Sequence, residues 1–263
     1  MDIRQKISLP WSHHVSRGNM ALAHVHHQFG RNVACTTTYT PVSDIGVYRT
    51  PQVGAATQLR VAAGGDIADA ADGSGARSVR LWGINALGDE VIEVIATAGA
   101  SASALTVNSF IRLYLVEVYE SGAYGTQDIG SHLGNITIED AAGGTAWAQI
   151  QLNGFPSGVT GIGSITVPRN HVGLLISAQI NVDATKATDL IILKREGILQ
   201  TEAPYKSIQK VQEFIGVQRS VTMSFEMPIK FGELTDIGVL AKVSNGFGAV
   251  SVDLEVLILE AES

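Results

Sequence analysis

Gly75-Ala-Arg-Ser-Val-Arg-Leu-Trp-Gly-Ile-Asn-Ala-Leu-Gly-Asp-Glu-Val-Ile-Glu-Val-Ile-Ala-Thr97 is the stretch that decides the fold class. Val79 and Leu81 alternate with Ser78, Arg80 and Trp82, residues 85–89 supply turn chemistry, and residues 91–95 are β-branched apart from Glu93. Period-two alternation on both sides of a Gly-containing turn predicts an antiparallel hairpin.

The rest of the chain repeats that pattern. Asn108 to Tyr119 is β-branched and aromatic with a glycine-rich flank, which favours a long or bulged strand over a buried helix. Residues 134–138 and 145–152 form another strand pair around a short turn. Ile165 to Pro168, His171 to Asn181 and Asp189 to Arg195 read as further strands. Between Ala203 and Gly216 the residues Ile208, Val211, Phe214 and Ile215 fit helical spacing, while alternation fits less well, so that segment stays open between helix and strand. Val221, Met223 and Phe225 alternate again. In the last strand Val250, Val252, Leu254, Val256 and Ile258 share one face, with Ser251, Asp253 and Glu255 on the other. More than a dozen short strands predict an all-β antiparallel sandwich of jelly-roll type.

At 263 residues the chain accommodates one large β-domain over 29–263 or two packed subdomains within it. Residues 1–28 differ: they hold Pro10, Trp11 and five of the seven histidines, and predict an extended N-terminal arm that enters the fold through Ala21 to Gln28. Trp11, His13, His14, His24 and His26 are its candidate partner-contact residues. His24 and His26 fall on one face of a short strand, which invites a metal reading. Zinc needs four ligands, however, and no Cys, Asp or Glu lies nearby in sequence to complete a set, so a hydrogen-bonded or interface pair is expected and no metal.

Only 16% of residues are charged, against about 25% in an average domain. Much of the surface is therefore small and polar, or covered by other chains. A net charge of −7 without any basic run excludes a general nucleic-acid binder. One cysteine, Cys35, excludes an intrachain disulfide framework. No apolar run approaches about 18 residues, and the first ten residues lack a signal-like apolar core, so neither a membrane nor the usual secretory route is expected.

No motif supplies catalysis. Neither Gly-x-Ser-x-Gly nor His-Glu-x-x-His occurs, and Glu90 and Glu93 read as surface carboxylates flanking a strand. Asp66, Asp69 and Asp72 recur every third residue, whereas a calcium loop places ligands at every second, so solvated loop carboxylates are expected. Gly158 to Gly163 lacks the strand-helix context and the Lys-Ser/Thr of a phosphate cradle and reads as glycines at turns. No enzyme activity, catalytic residue or cofactor is expected. Trp82, Trp147, Tyr119 and Tyr124 are the stacking surfaces a receptor- or glycan-binding module would use, core packing being the competing role.

The series Phe29-Gly-Arg-Asn32, Val47-Tyr48, Pro51, Gly75-Ala-Arg77, Asn108-Ser-Phe110 with Arg112, Gly134-Asn-Ile-Thr-Ile138, Ile165-Thr-Val-Pro168 and Pro228-Ile-Lys-Phe231 resembles a group of β-rich virion proteins of tailed bacteriophages. The resemblance spans roughly residues 29 to 259 and rests on turns and strand starts. Where the family pattern has Asn-Pro-Asp after Phe-Gly-Arg, Asn32 here precedes Val33-Ala34. The resemblance implies a non-enzymatic place in the virion, as a capsid-decorating or cement protein, or as a tail, fibre or baseplate component that binds a host receptor or glycan. Its implied partners are copies of itself, in a homo-oligomer such as a trimer, and a major capsid or tail protein. Direct contact with nucleic acid or membrane is not implied.

Overall fold

The computed structural model describes residues 23–45, 56–123, 130–152 and 158–261, together with Val15 and Arg17. From residue 23 onward all the regular structure described is strand. In chain order the strands are β1 (Ala23–Cys35), β2 (Thr40–Pro41), β3 (Leu59–Val61), β4 (Ala76–Asn85), β5 (Glu90–Ala96), β6 (Phe110–Ser121), β7 (Ile136–Asp140) and β8 (Ala146–Ile150). They continue as β9 (Ser164–Thr166), β10 (His171–Val182), β11 (Thr188–Arg195), β12 (Gln209–Val217), β13 (Ser220–Phe231), β14 (Asp236–Val243) and β15 (Gly248–Glu260). The expected hairpin is β4–β5, paired antiparallel from Ser78–Ala96 to Ile84–Glu90.

Two sheets form an antiparallel sandwich. One has the order β1-β15-β10-β13, the other β12-β11-β14-β2, with β9 also pairing β14. Alternation decides what lies between them: Val250, Val252, Leu254, Val256 and Ile258 of β15 are buried together with Leu190 and Ile192 of β11 and Ile237, Val239 and Ala241 of β14. Each of these Val, Leu and Ile side chains contributes about 1.5–3 kcal/mol on burial. Gly30 of β1 is needed for a close approach, because a Cβ there would lie 2.2 Å from the Cα of Gly163. Gly161 and Gly163 are likewise packing glycines, and of the 158–163 set only Gly158 has the positive φ of a tight turn.

Strands β3 to β8 form an insert between β2 and β9. It has its own two sheets, β5-β4-β6 and β3-β7-β8, and its own core around Leu59, Val79, Leu81, Phe110, Ile138, Trp147 and Ile150. The chain leaves the sandwich and returns at adjacent points, since Ser43 and Ile162 bridge each other.

Strand β6 serves both cores, and its bulges explain how. In its pairing with β4, Leu115 opposes Trp82 and Leu113 opposes Gly83, then Arg112 opposes Ile84 and Phe110 opposes Asn85. In this stretch Tyr114 and Ile111 are passed over, and a bulged residue is turned out of the ladder's alternation. Phe110, Leu113 and Val116 accordingly join the insert core, whereas Ile111 and Tyr114 join the sandwich core. Between them Arg112 forms a buried ion pair with Asp236 of β14, both side chains 1% exposed.

The segment left open between helix and strand contains β12. It is an edge strand whose register with β11 shifts twice, between Thr188 and Leu190 and between Ile192 and Leu193. Those irregularities break the period of two and leave the apolar residues at a spacing that imitates a helix.

The loop over residues 64–75 corrects one expectation. Asp69 is not solvated: it is 4% exposed and accepts backbone N–H bonds from Ala76 at 2.8 Å, Leu133 at 3.0 Å and Gly134 at 2.8 Å. His132, fully buried beside this knot, donates from Nδ1 to the Gly134 carbonyl at 2.9 Å. Burial pushes its pKa down, against the opposite pull of that carbonyl and of Asp69. As pH falls, the unfolded chain takes up the proton first, near the ordinary value of about 6.5. The stabilisation is therefore full above that pH and lost progressively as pH drops toward the depressed native value. The melting temperature is expected to fall between pH 7.5 and 5.5, and His132→Asn is expected to flatten that fall. An identical pH slope in the variant would remove His132 from the account.

Candidate functional site

The residues with the most chemistry to offer meet where β1 faces the insert. His24 and His26 share a face of β1 with Gln28, whose buried amide donates to the carbonyls of Tyr114 at 2.8 Å and Ile162 at 2.6 Å. Those two bonds fix the middle of β1 against the bulge of β6. His27, on the opposite face, is exposed and lies 3.7 Å from Glu255.

Glu90 opens β5 at the end of the hairpin turn, and the hairpin carries it to the two histidines. The Nε2 atoms of His24 and His26 are 2.9 Å apart, and His26 Nε2 is 3.5 Å from Glu90 Oε1. The rings meet edge to face at 4.7 Å between centroids, and His26 stands similarly against Tyr114 at 5.9 Å. The hydroxyl of Tyr114 donates to Glu90, so the bulge that sends Tyr114 out of the ladder also orients the carboxylate. These three groups open onto a cleft of about 480 Å³ walled by Trp82 and Leu115.

The electrostatics of the trio are coupled. Burial pushes the His24 pKa down, the neighbouring His26 adds to that, and Glu90 opposes it. For Glu90 burial works toward a higher pKa, but hydrogen bonds from His26 and Tyr114 and the nearby imidazoles outweigh it and hold the carboxyl below its usual range. The site thus favours a carboxylate facing uncharged imidazole at His24.

This arrangement overturns one step of the sequence argument. An acidic residue is within reach of the histidine pair; it comes from a distant hairpin, and only the fold brings it there. Glu90 does not act with Glu93, which instead accepts the backbone N–H bonds of Val107 and Asn108. Tyr114 carried no sequence signal, because its role depends on a bulge that strand alternation hides. Of the other candidate contact residues, Trp11, His13 and His14 lie outside the described residues.

The aromatic candidates separate by environment. Trp147 is buried in the insert core, and Tyr124 lies outside the described residues. Trp82 and Tyr119 stand on either side of Arg80, whose guanidinium lies 5.2 Å and 4.8 Å from their ring centroids and is also paired with Glu117. One face of each ring is therefore already taken by a cation.

Comparison with known families and with curated proteins found no match. Among solved structures, the insecticidal delta-endotoxin Cry8Ea1 from Bacillus thuringiensis is similar over 87% of this chain, at 12% identity and a TM-score of 0.20. The chain spans 60% of that toxin chain's length. A likeness this slight carries no argument about function.

Proposed function

We propose that this chain is a non-enzymatic structural protein of a bacteriophage virion, a capsid-decorating or cement protein that assembles as a homo-oligomer such as a trimer. The observation that carries the reading is where the large apolar side chains stand. Strands β12 and β13 are the edges of the two sheets on one side of the sandwich, joined by residues 218–219 alone. On them Ile215 is 76% and Met227 87% exposed, in a chain with few charges. Unpaired edges bearing apolar side chains are a liability in a solitary protein and an asset in one that packs against neighbours. Weak contacts of this kind gain strength when repeated on a symmetric particle.

The strand order gives further support. Taken as β1, β2 and β10 to β15, the sandwich has eight strands in the sheets β1-β15-β10-β13 and β2-β14-β11-β12. We read this as a jelly roll carrying the β3–β8 insert between its second and third strands, an architecture common in viral coats. Fold alone does not define function, and the resemblance to phage virion proteins supplies the direction. The alternative, a tail, fibre or baseplate component that binds receptor or glycan, draws less support while Arg80 occupies faces of Trp82 and Tyr119.

Since β1 pairs with β15 from Ala23 onward, removal of residues 2–22 leaves the sheet intact. The truncated chain, which also loses the buried Val15, is expected to fold with a somewhat lower melting temperature and to bind phage particles at least about tenfold more weakly, as loss of one of several linked contacts would. Co-sedimentation with purified particles reads this out. Undiminished binding would remove the arm from the attachment role, and a monomer without particle affinity would end the reading altogether.

A further inference from the structure

We propose that His24, His26 and Glu90 form a binding site for one divalent transition-metal ion of the zinc type, which clamps the insert onto the first strand of the sandwich. The site is independent of the virion reading: it stands on three side chains whose ligand atoms all lie within 4.8 Å of one another.

The donor set fits the chemistry. Two imidazole nitrogens and one carboxylate oxygen are what zinc takes when three protein ligands leave a fourth position open. Ligand atoms about 2.0–2.1 Å from a tetrahedral ion sit about 3.3 Å from each other. The observed separations of 2.9 Å between the imidazoles and 3.5 Å from His26 to Glu90 bracket that value, and with all three ligand atoms within 4.8 Å of one another the remaining edge, from His24 to Glu90, closes by side-chain rotation as the ion is seated. Both histidines present Nε2, and residues alternating on one strand face turn both rings the same way.

The surroundings fit as well. Tyr114 donates to Glu90 and supplies the outer hydrogen bond that orients a ligating carboxylate. The cleft bounded by Trp82 and Leu115 leaves room for water or another donor at the open position. Among the described residues this is the sole group of three such side chains close enough to share an ion. A hydrogen-bonded chain from His24 through His26 and Glu90 to Tyr114 would also hold the groups together, and it makes different predictions.

The test is titration of the purified full-length chain, first stripped with chelator, with Zn2+ by calorimetry and with Co2+ by absorption. One equivalent of ion is expected, with a tetrahedral Co2+ spectrum and a higher melting temperature in the presence of Zn2+. Glu90→Gln and His26→Asn are each expected to weaken binding by more than about 100-fold, since loss of a mere outer-shell partner costs about 10–100-fold. His27→Ala, on the opposite face, should bind as the parent does. Circular dichroism of the metal-free variants checks that they fold. Should both fail to fold, Cu2+ bound to the parent chain should show electron paramagnetic resonance hyperfine structure from two nitrogens. Absence of stoichiometric binding, binding unaltered in folded Glu90→Gln and His26→Asn, or a copper signal without two nitrogens would each overturn the proposal and leave the hydrogen-bonded chain as the account.

Discussion

Asp236→Ala is expected to cost the fold about 3–5 kcal/mol, the range seen when one partner is removed from a buried ion pair. The Asp236 carboxylate receives Arg112 Nε at 3.1 and 3.2 Å and Nη2 at 2.9 Å, and accepts the Thr166 hydroxyl at 2.8 Å. Truncation leaves a guanidinium 1% exposed facing the hole, with the Ile111 carbonyl still bonded to its Nη1 at 2.9 Å. A domain whose whole stability is about 5–15 kcal/mol can lose most of it this way. Because Arg112 belongs to β6 of the insert, Asp236 to β14 and Thr166 to β9, the loss falls on the junction between the two cores. Chemical denaturation should show a lower midpoint for the entire molecule. The double replacement Arg112→Met with Asp236→Leu should recover only part of the loss, since it removes one stranded guanidinium but still deprives that of Arg195, buried beside the same carboxylate, of that negative charge. A single variant within about 1 kcal/mol of the parent, typical of an exposed pair, would contradict the burial on which the argument rests.

Asp69→Ala is expected to destabilise the insert by at least about 3 kcal/mol, because three backbone donors lose their acceptor at once and an unsatisfied buried donor costs about 1–3 kcal/mol. Asp69→Asn keeps one acceptor oxygen and should cost about half as much. The sandwich has its own core, so the damage should be local: hydrogen exchange is expected to accelerate around residues 66–76 and 132–135 before it changes in β10 or β15. Uniform acceleration throughout would mean that insert and sandwich unfold as one unit.

The parts of this molecule that were legible in its sequence are those governed by neighbours along the chain. The β4–β5 hairpin and β15 declare themselves by alternation, because each has one face in a core and the other toward solvent. What stayed hidden depends on departures from that rule. The bulges at Ile111 and Tyr114 let one strand feed two cores, and two register shifts gave β12 a false helical period. Asp69 looked like one of three equivalent loop acids, yet the chain folds back over it and not over Asp72. The histidine pair was visible on its strand, but Glu90 reaches it only through the docking of a separate hairpin. Long-range placement of that kind leaves no trace in local spacing.

The partnership of β1 with β15 sets the order of events during synthesis. Residues 23–35 leave the ribosome early and find their ladder only when residues 248–260 have followed. The insert, whose strands pair among themselves, can assemble in the interval, as domains commonly do while the remainder of a chain is being made. The nascent sandwich meanwhile holds an unpaired first strand, and its closure waits for β15 and is paced by the slow search that distant β pairings require.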